Sequence, residues 1–280
     1  MSRIRRALLA AALLSALPAA AQDATPEVTP EVTEQAAFAP IPFLTPSVLA
    51  EYPHNTQDFT QGLVMDADGR LFQSTGLYGS SELQELDLET GEELRSVALD
   101  EAYFAEGLAL VDDRLIQITW QENTAFVYDV ETFELLETFE YEGQGWGLCY
   151  DGASLWMTDG SANLFRRDPD TFELLDTIPV DLFGSPVTNL NELECANGVV
   201  LANVWQTDYI MLIQPESGDV VGVIDASSLI PPEERIGLGS GAVLNGIVYL
   251  PETETYLVTG KLWPTIFEVA LVVEGNLVPR

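Results

Sequence analysis

The sequence predicts an all-β fold, a five-bladed β-propeller closed by an N-terminal strand, and three observations carry that prediction. Short runs rich in Val, Ile, Leu, Phe, Trp and Tyr alternate with turn signals every 8 to 12 residues, and no stretch holds a sustained helical stripe. A four-strand unit recurs about every 45 residues, the period of a propeller blade. Each unit opens on a Gly-Leu element or its equivalent: Gln61-Gly62-Leu63, Glu106-Gly107-Leu108, Trp146-Gly147-Leu148, Asn191-Glu192-Leu193 and Asn245-Gly246-Ile247.

In chain order, the first residues are an export signal. Arg3, Arg5 and Arg6 precede an apolar run from Ala7 to Leu17, too short to span a bilayer, and Pro18-Ala19-Ala20-Ala21 ends in a small-residue cleavage pattern. A signal peptide of 1–21 and a mature start at Gln22 follow, with no cysteine at the junction to take a lipid. The expected location is periplasmic or secreted, with no membrane insertion after cleavage. Residues 22–47 hold the repeat Thr25-Pro26-Glu27-Val28-Thr29-Pro30-Glu31-Val32-Thr33 and then Pro40, Pro42 and Pro46, which reads as an extended linker. The catalytic propeller is expected over 48–280.

Within each unit a second strand follows a turn: Leu71 to Thr75, Leu115 to Trp120, Leu155 to Thr158, Val199 to Trp205 and Tyr256 to Thr259. Third strands often end in a turn of one type, Asp87-Leu88-Glu89-Thr90, Asp129-Val130-Glu131-Thr132 and Asp168-Pro169-Asp170-Thr171. The fifth unit runs out after its third strand, near Val269 to Val273. Val48 to Tyr52 is placed to supply the missing outer strand and remove a free edge.

Composition narrows the function. The 280 residues carry 45 acidic and 11 basic side chains, a net charge of −34, and loss of the signal takes this to −37. Such a chain lacks the cationic stripe that a nucleic-acid backbone needs. One histidine, His54, and two cysteines, Cys149 and Cys195, fall short of the ligands a zinc site wants. The cysteines lie near the starts of neighbouring units, so an oxidising compartment allows one disulfide or two free thiols. Asp66-x-Asp68-Gly69 opens like a calcium loop but lacks the later acidic ligand, and a hairpin turn is the simpler reading. Gly237, Gly239 and Gly241 precede a strand rather than a helix, so no phosphate cradle is expected there. His54 has no nucleophile pattern beside it and reads as structural.

The repeat also points to a site. In a propeller the first strand of each blade lines the central channel, so Gln61, Glu106, Trp146, Asn191 and Asn245 form one ring. The ends of the second strands return to the same face and place Gly76, Trp120, Asp159, Trp205 and Lys261 in a second ring. One tryptophan in a strand is ordinarily core packing, and a lone glutamate in an acidic protein is as often a solvated channel residue. Three tryptophans at the same end of repeat units, with amides, a carboxylate and the only lysine of the chain, describe a concave aromatic site with convergent polar groups.

At these residues the chain resembles the plant and bacterial glutaminyl cyclases, also called glutamine cyclotransferases. The matching segments include Tyr52-Pro53-His54, Phe59-Thr60-Gln61-Gly62-Leu63, Ser74-Thr75-Gly76-Leu77-Tyr78-Gly79, Tyr103-Phe104-Ala105-Glu106-Gly107-Leu108 and Gly145-Trp146-Gly147-Leu148. Leu190-Asn191-Glu192-Leu193-Glu194, Asn203-Val204-Trp205-Gln206-Thr207-Asp208, Leu244-Asn245-Gly246-Ile247 and Gly260-Lys261-Leu262-Trp263-Pro264 complete the set. The resemblance spans residues 48 to about 270 in order. It implies a five-bladed propeller enzyme, an aminoacyltransferase, that converts N-terminal glutamine of peptides and proteins to pyroglutamate with release of ammonia and no metal or other cofactor. It places the acid/base role on Glu106 and an essential role on Lys261, and substrate binding on Phe59, Gln61, Phe104, Trp120, Trp146, Asn191 and Trp205. Gln73 departs from the glutamate usual at that position. The animal glutaminyl cyclases are zinc enzymes of another fold, and the histidine shortage here agrees with exclusion from that group. A monomer acting on peptides is expected. The competing class is a non-catalytic propeller that cages peptide amines or sugars; it needs the tryptophans but not Glu106 and Lys261 together. A calcium-dependent propeller lactonase would instead converge acids and amides on a metal, where this chain has a lysine.

Overall fold

A computed structural model describes residues 38–239 and 241–279. The expected signal peptide and residues 22–37 of the expected linker lie outside them. The first strand, β1 (Ile41–Pro53), begins inside the stretch expected as linker, so the folded body starts at least seven residues earlier than the expected boundary at 48. Its prolines are tolerated because β1 pairs along its length with one neighbour only; on its other side just Phe43 and Leu44 pair.

Four-stranded antiparallel meanders then follow one another. The first is β2 (Thr60–Met65), β3 (Leu71–Thr75), β4 (Glu82–Leu86) and β5 (Glu93–Ala98). The second is β6 (Ala105–Val111), β7 (Arg114–Thr119), β8 (Thr124–Asp129) and β9 (Leu135–Glu140). The third is β10 (Leu148–Tyr150), β11 (Leu155–Met157), β12 (Asn163–Arg167) and β13 (Leu174–Pro179), followed by a small ribbon, β14 (Asp181–Leu182) and β15 (Ser185–Pro186). The remaining strands are β16 (Leu190–Ala196), β17 (Val199–Val204), β18 (Tyr209–Ile213), β19 (Val220–Asp225), β20 (Leu244–Leu250), β21 (Thr255–Gly260) and β22 (Thr265–Leu277). They join β1 in an eight-stranded sheet of order β16-β17-β18-β19-β1-β22-β21-β20, in which β1 runs antiparallel to β22 and parallel to β19. The fold is all-β and propeller-like. A short helix, α1 (Pro232–Leu238), lies between β19 and β20, and Arg235 ties it to the Asp208 carboxylate at 2.6 Å.

The first strands β2, β6, β10, β16 and β20 pack in succession, and β20 returns to β2. The repeated glycine is what lets them close up: a Cβ on Gly147 would lie 2.0 Å from the Asn191 carbonyl oxygen. Apolar side chains fill the spaces between sheets, as where Phe72 and Leu83 meet Leu108, Leu115 and Tyr128. The expected Asp turns form, with Asp87, Asp129 and Asp168 each accepting from the backbone N–H and hydroxyl of the threonine three residues on. Those bonds hold the three carboxyls below their usual range. Cys149 and Cys195 are joined in a disulfide that bridges β10 and β16.

Candidate active site

Two backbone features bring the two rings of the repeat to one place. The first strands β2, β6, β16 and β20 each start with a register shift, and Gln61, Glu106, Asn191 and Asn245 sit within the shifts. A bulge re-aims a side chain out of the alternation of its strand. In four units the residue at the end of the second strand then donates its N–H to the residue two before the ring position: Gly76 to Phe59, Trp120 to Phe104, Trp205 to Asn189 and Lys261 to Val243, at 2.8 to 2.9 Å. The same bond in each unit brings the ends of the second strands against the bulges.

The result is a cavity of about 250 Å³ lined by Phe59, Gln61, Phe104, Glu106, Trp120, Trp146, Asn191, Trp205 and Lys261. These are the nine residues expected from the sequence, and all nine are brought together. Of the other ring members, Asn245 is turned away and donates to the Thr60 carbonyl at 2.9 Å, while Asp159 lines a neighbouring groove. Gly76 leaves room for the Phe104 ring, which a Cβ would meet at 2.4 Å. The aromatic wall is held edge to face: Phe104 on Trp120 at 5.7 Å, Trp146 on Trp205 at 5.4 Å and Phe59 on Phe104 at 6.2 Å between centroids.

A chain of polar groups crosses the floor. The Lys261 ammonium, 3% exposed, donates to Gln61 Oε1 and lies 4.8 Å from the centre of the Phe59 ring. Gln61 Nε2 in turn donates to Glu106 Oε1 at 3.1 Å. The amide of Gln61 is thereby oriented, oxygen to the cation and nitrogen to the carboxylate. Burial pushes the Glu106 carboxyl well above its usual range; Lys261 opposes this and the Glu122 carboxylate adds to it. Burial also brings the Lys261 ammonium down to about 8, against the pull of Glu106 and Glu192. Asn191 Oδ1 is buried without a partner among the described residues. The cavity therefore holds a proton carrier of raised affinity, a cation with donors to spare and an open acceptor.

Three residues at this site escaped the sequence reading. Gln144 Oε1 accepts from the indole N–H of both Trp120 (2.8 Å) and Trp146 (3.0 Å), so one exposed amide fixes two walls. It stands two residues before Trp146, the place that Phe59 and Phe104 hold in their own units, and carrying the repeat alignment two residues upstream would have found it. Glu122 accepts from the Tyr78 hydroxyl at 2.7 Å and from Phe104 N–H at 3.3 Å, at the lip of the cavity. Glu192 replaces the glycine of the fourth repeat and is buried. Burial raises its carboxyl well above its ordinary range, Glu194 adds to this, and backbone N–H groups of Leu63, Ile247 and Gly246 pull it down. Its signal was visible, since it is the one non-glycine in that column.

The chain is similar over most of its length to proteins already known. A curated glutaminyl-peptide cyclotransferase of Arabidopsis thaliana is 41% identical over 225 residues, covering 80% of this chain and 70% of its own. The crystal structure of a glutaminyl cyclase of Myxococcus xanthus matches with a TM-score of 0.78 at 41% identity, over 84% of this chain and 100% of that one. The family described as glutamine cyclotransferase matches residues 10–271, and the chain belongs to it.

Proposed function

We propose that this protein is a glutaminyl-peptide cyclotransferase, an aminoacyltransferase that closes the N-terminal glutamine of peptides and proteins into pyroglutamate and releases ammonia. The observation that carries the reading is the Lys261–Gln61–Glu106 chain at the floor of an aromatic cavity. An aromatic cage for amines or sugars would have no use for a buried carboxylate and ammonium linked through an amide.

In the reaction the α-nitrogen of the substrate attacks Cδ of its own side chain, forming N–Cδ, and the tetrahedral intermediate expels the amide nitrogen as ammonia. The α-amine loses a proton and the leaving nitrogen gains one. Glu106 can perform both transfers, because burial raises its proton affinity well above that of an ordinary carboxylate, and such a carrier contributes typically 10²–10⁴-fold. Lys261 has donors left for the oxygen that gains negative charge, about 3 kcal/mol for a well-aimed one. Asn191 Oδ1 is free to accept from the substrate amine. The rings of Trp120, Trp146 and Trp205 exclude water and hold the chain folded on itself.

The site stands in a five-bladed propeller that β1 closes by pairing between the fourth and fifth units; the succession of first strands and the parallel bonds of Phe43 and Leu44 support this. The reaction is metal-independent: each step has a protein group to perform it, and the cation in the cavity is Lys261. The enzyme works as a monomer in the periplasm or outside the cell, the export signal and a disulfide being consistent with an oxidising compartment. Incubation of the purified protein with a Gln-initiated peptide, with and without chelator, tests the reading. Equal ammonia release in both is expected. No release from any such peptide would sink the assignment, and release abolished by chelator and restored by metal would sink the metal-free mechanism.

A further inference from the structure

The buried polar cluster behind the aromatic wall is built around His54, the only histidine of the chain. We propose that His54 is held as an imidazolium, paired with Asp58 through the amide of Gln73, and that this pair is a positioning element for the two turns that carry Phe59, Gln61 and Lys261. The kinetic part of this rests on the cyclotransferase reading; the charge state of the ring does not.

Hydrogen bonds read inward from the surface assign the charge. Gln84 donates through Nε2 to Glu82 Oε2 at 3.1 Å and to Glu93 Oε2 at 3.3 Å. Carboxylates only accept, so the amide nitrogen of Gln84 must face them and its oxygen must face inward. That oxygen accepts from Gln73 Nε2 at 3.0 Å, and the same nitrogen donates to Asp58 Oδ2 at 2.9 Å. Gln73 Oε1 is therefore turned to the far side, where it accepts from Thr60 Oγ1 at 3.1 Å and faces His54 Nε2 at 2.8 Å. Inverting either glutamine would set amide oxygen against carboxylate oxygen at Glu82, Glu93 and Asp58. His54 Nε2 consequently carries a proton.

The other ring nitrogen meets the same demand. Nδ1 lies 2.8 Å from the Trp263 carbonyl oxygen, which can only accept. Thr259 Oγ1, 3.5 Å away, already donates its O–H to the Thr265 carbonyl at 2.8 Å. With an acceptor on each side, both nitrogens donate, and a ring that donates twice is cationic.

The surroundings supply the countercharge. Asp58 is buried, accepts further from Asn55 Nδ2 at 2.9 Å, and makes no ion pair with arginine or lysine among the described residues. Burial raises its carboxyl, while His54 and the bond from Gln73 draw it back down. The charged groups facing the cluster are Asp58, Glu82 on β4 and Glu93 on β5, all acidic; β3 contributes Gln73, and the turn between β21 and β22 contributes only neutral oxygens. Gln73, where the chain departs from the family pattern, has all four hydrogen-bonding positions in use and separates the two charges.

The same pair ties the site together. His54 N–H donates to the Pro264 carbonyl at 2.9 Å and Leu262 N–H to the Asp58 carbonyl at 2.8 Å. With the bond from Nδ1 to Trp263, three hydrogen bonds hold the turn that starts at Lys261 against residues 54–58, directly before Phe59 and Gln61.

A single histidine makes the test direct. In ¹⁵N-labelled protein at pH 7, the long-range ¹H–¹⁵N spectrum should show both ring nitrogens protonated. One bare nitrogen in the folded protein would overturn the imidazolium. Asp58→Asn keeps the shape and removes the charge; the ring should then become neutral at pH 7. On a Gln-initiated peptide, kcat should fall about tenfold or more with KM changed less than about threefold, since a misplaced donor costs turnover more than binding. Wild-type kcat with a neutral ring would overturn the positioning role. Gln84→Met, which removes the anchor that orients Gln73, reads the same split should Asp58→Asn not fold. If the wild-type protein turns over no Gln peptide, the cyclotransferase reading fails, while the spectra of wild type and Asp58→Asn still decide the charge.

Discussion

Replacing Lys261 probes the site most sharply, because the residue is costly to the fold and necessary to the chemistry. Its ammonium is buried and lowered from 10.5 to about 8, so the unfolded chain binds its proton more tightly over that window. Stability therefore rises as pH climbs from about 8 to 10.5, and below 8 the buried cation costs up to about 3 kcal/mol. Lys261→Met removes that cost, and Tm at pH 7 should hold or rise. Catalysis should move the other way. A donor toward the oxyanion is lost, worth roughly 10²–10³-fold. Glu106, whose proton affinity Lys261 holds down, then stays protonated to higher pH, so less of the base form is present at a given pH. Lys261→Arg should be nearly as damaging, since a planar fork must fit between Phe59 and Gln61 in a cavity of about 250 Å³ walled by five aromatic rings. The assay is kcat and KM for ammonia release beside calorimetric Tm. Wild-type turnover in Lys261→Arg, or lost folding with full activity per folded molecule in Lys261→Met, would refute the reasoning.

Other consequences can be read the same way. The pH profile of kcat/KM should be a bell: activity is lost as pH falls through the raised value of Glu106, which must be ionised, and as pH rises through about 8, where Lys261 loses its proton. Glu122→Gln removes a charge that raises Glu106, so the acid limb should move to lower pH while the basic limb stays; an unmoved acid limb would detach Glu106 from that limb. Gln144→Leu leaves two indole N–H groups without their shared acceptor and should raise KM about five- to tenfold at nearly constant Tm, measured by initial rates. Replacing both Cys149 and Cys195 by alanine opens a loop of 46 residues and should lower stability by up to about 4 kcal/mol in chemical denaturation, with kcat unchanged because the bridge is not among the cavity residues.

The repeat made the architecture legible in advance. A period near 45 residues equates positions in different units, and a propeller turns equivalent positions into rings, so Gln61, Glu106, Trp120, Trp146, Asn191, Trp205 and Lys261 could be placed together from spacing alone. Phe59 and Phe104 entered through resemblance, and the hydrogen bond that repeats at the top of four units explains why those positions face the cavity. What the period could not supply is anything that depends on two different units at once. Gln144 matters because its single oxygen reaches indoles from two units. Asn245 shares a ring position with Asn191 but spends its amide on the Thr60 carbonyl of the neighbouring unit. The orientation of Gln61 exists only between Lys261 and Glu106, 155 residues apart, and the charge of His54 only at the end of an amide chain anchored on Glu82 and Glu93. Equally, the start of β1 at Ile41 is set by Leu277 opposite it, against the local preference of a proline-rich stretch. Hydrophobic spacing and turn chemistry are written along the chain and can be read there. Hydrogen-bond direction, protonation state and strand ends are decided by whichever partner lies across the interface, and only the folded structure names the partner.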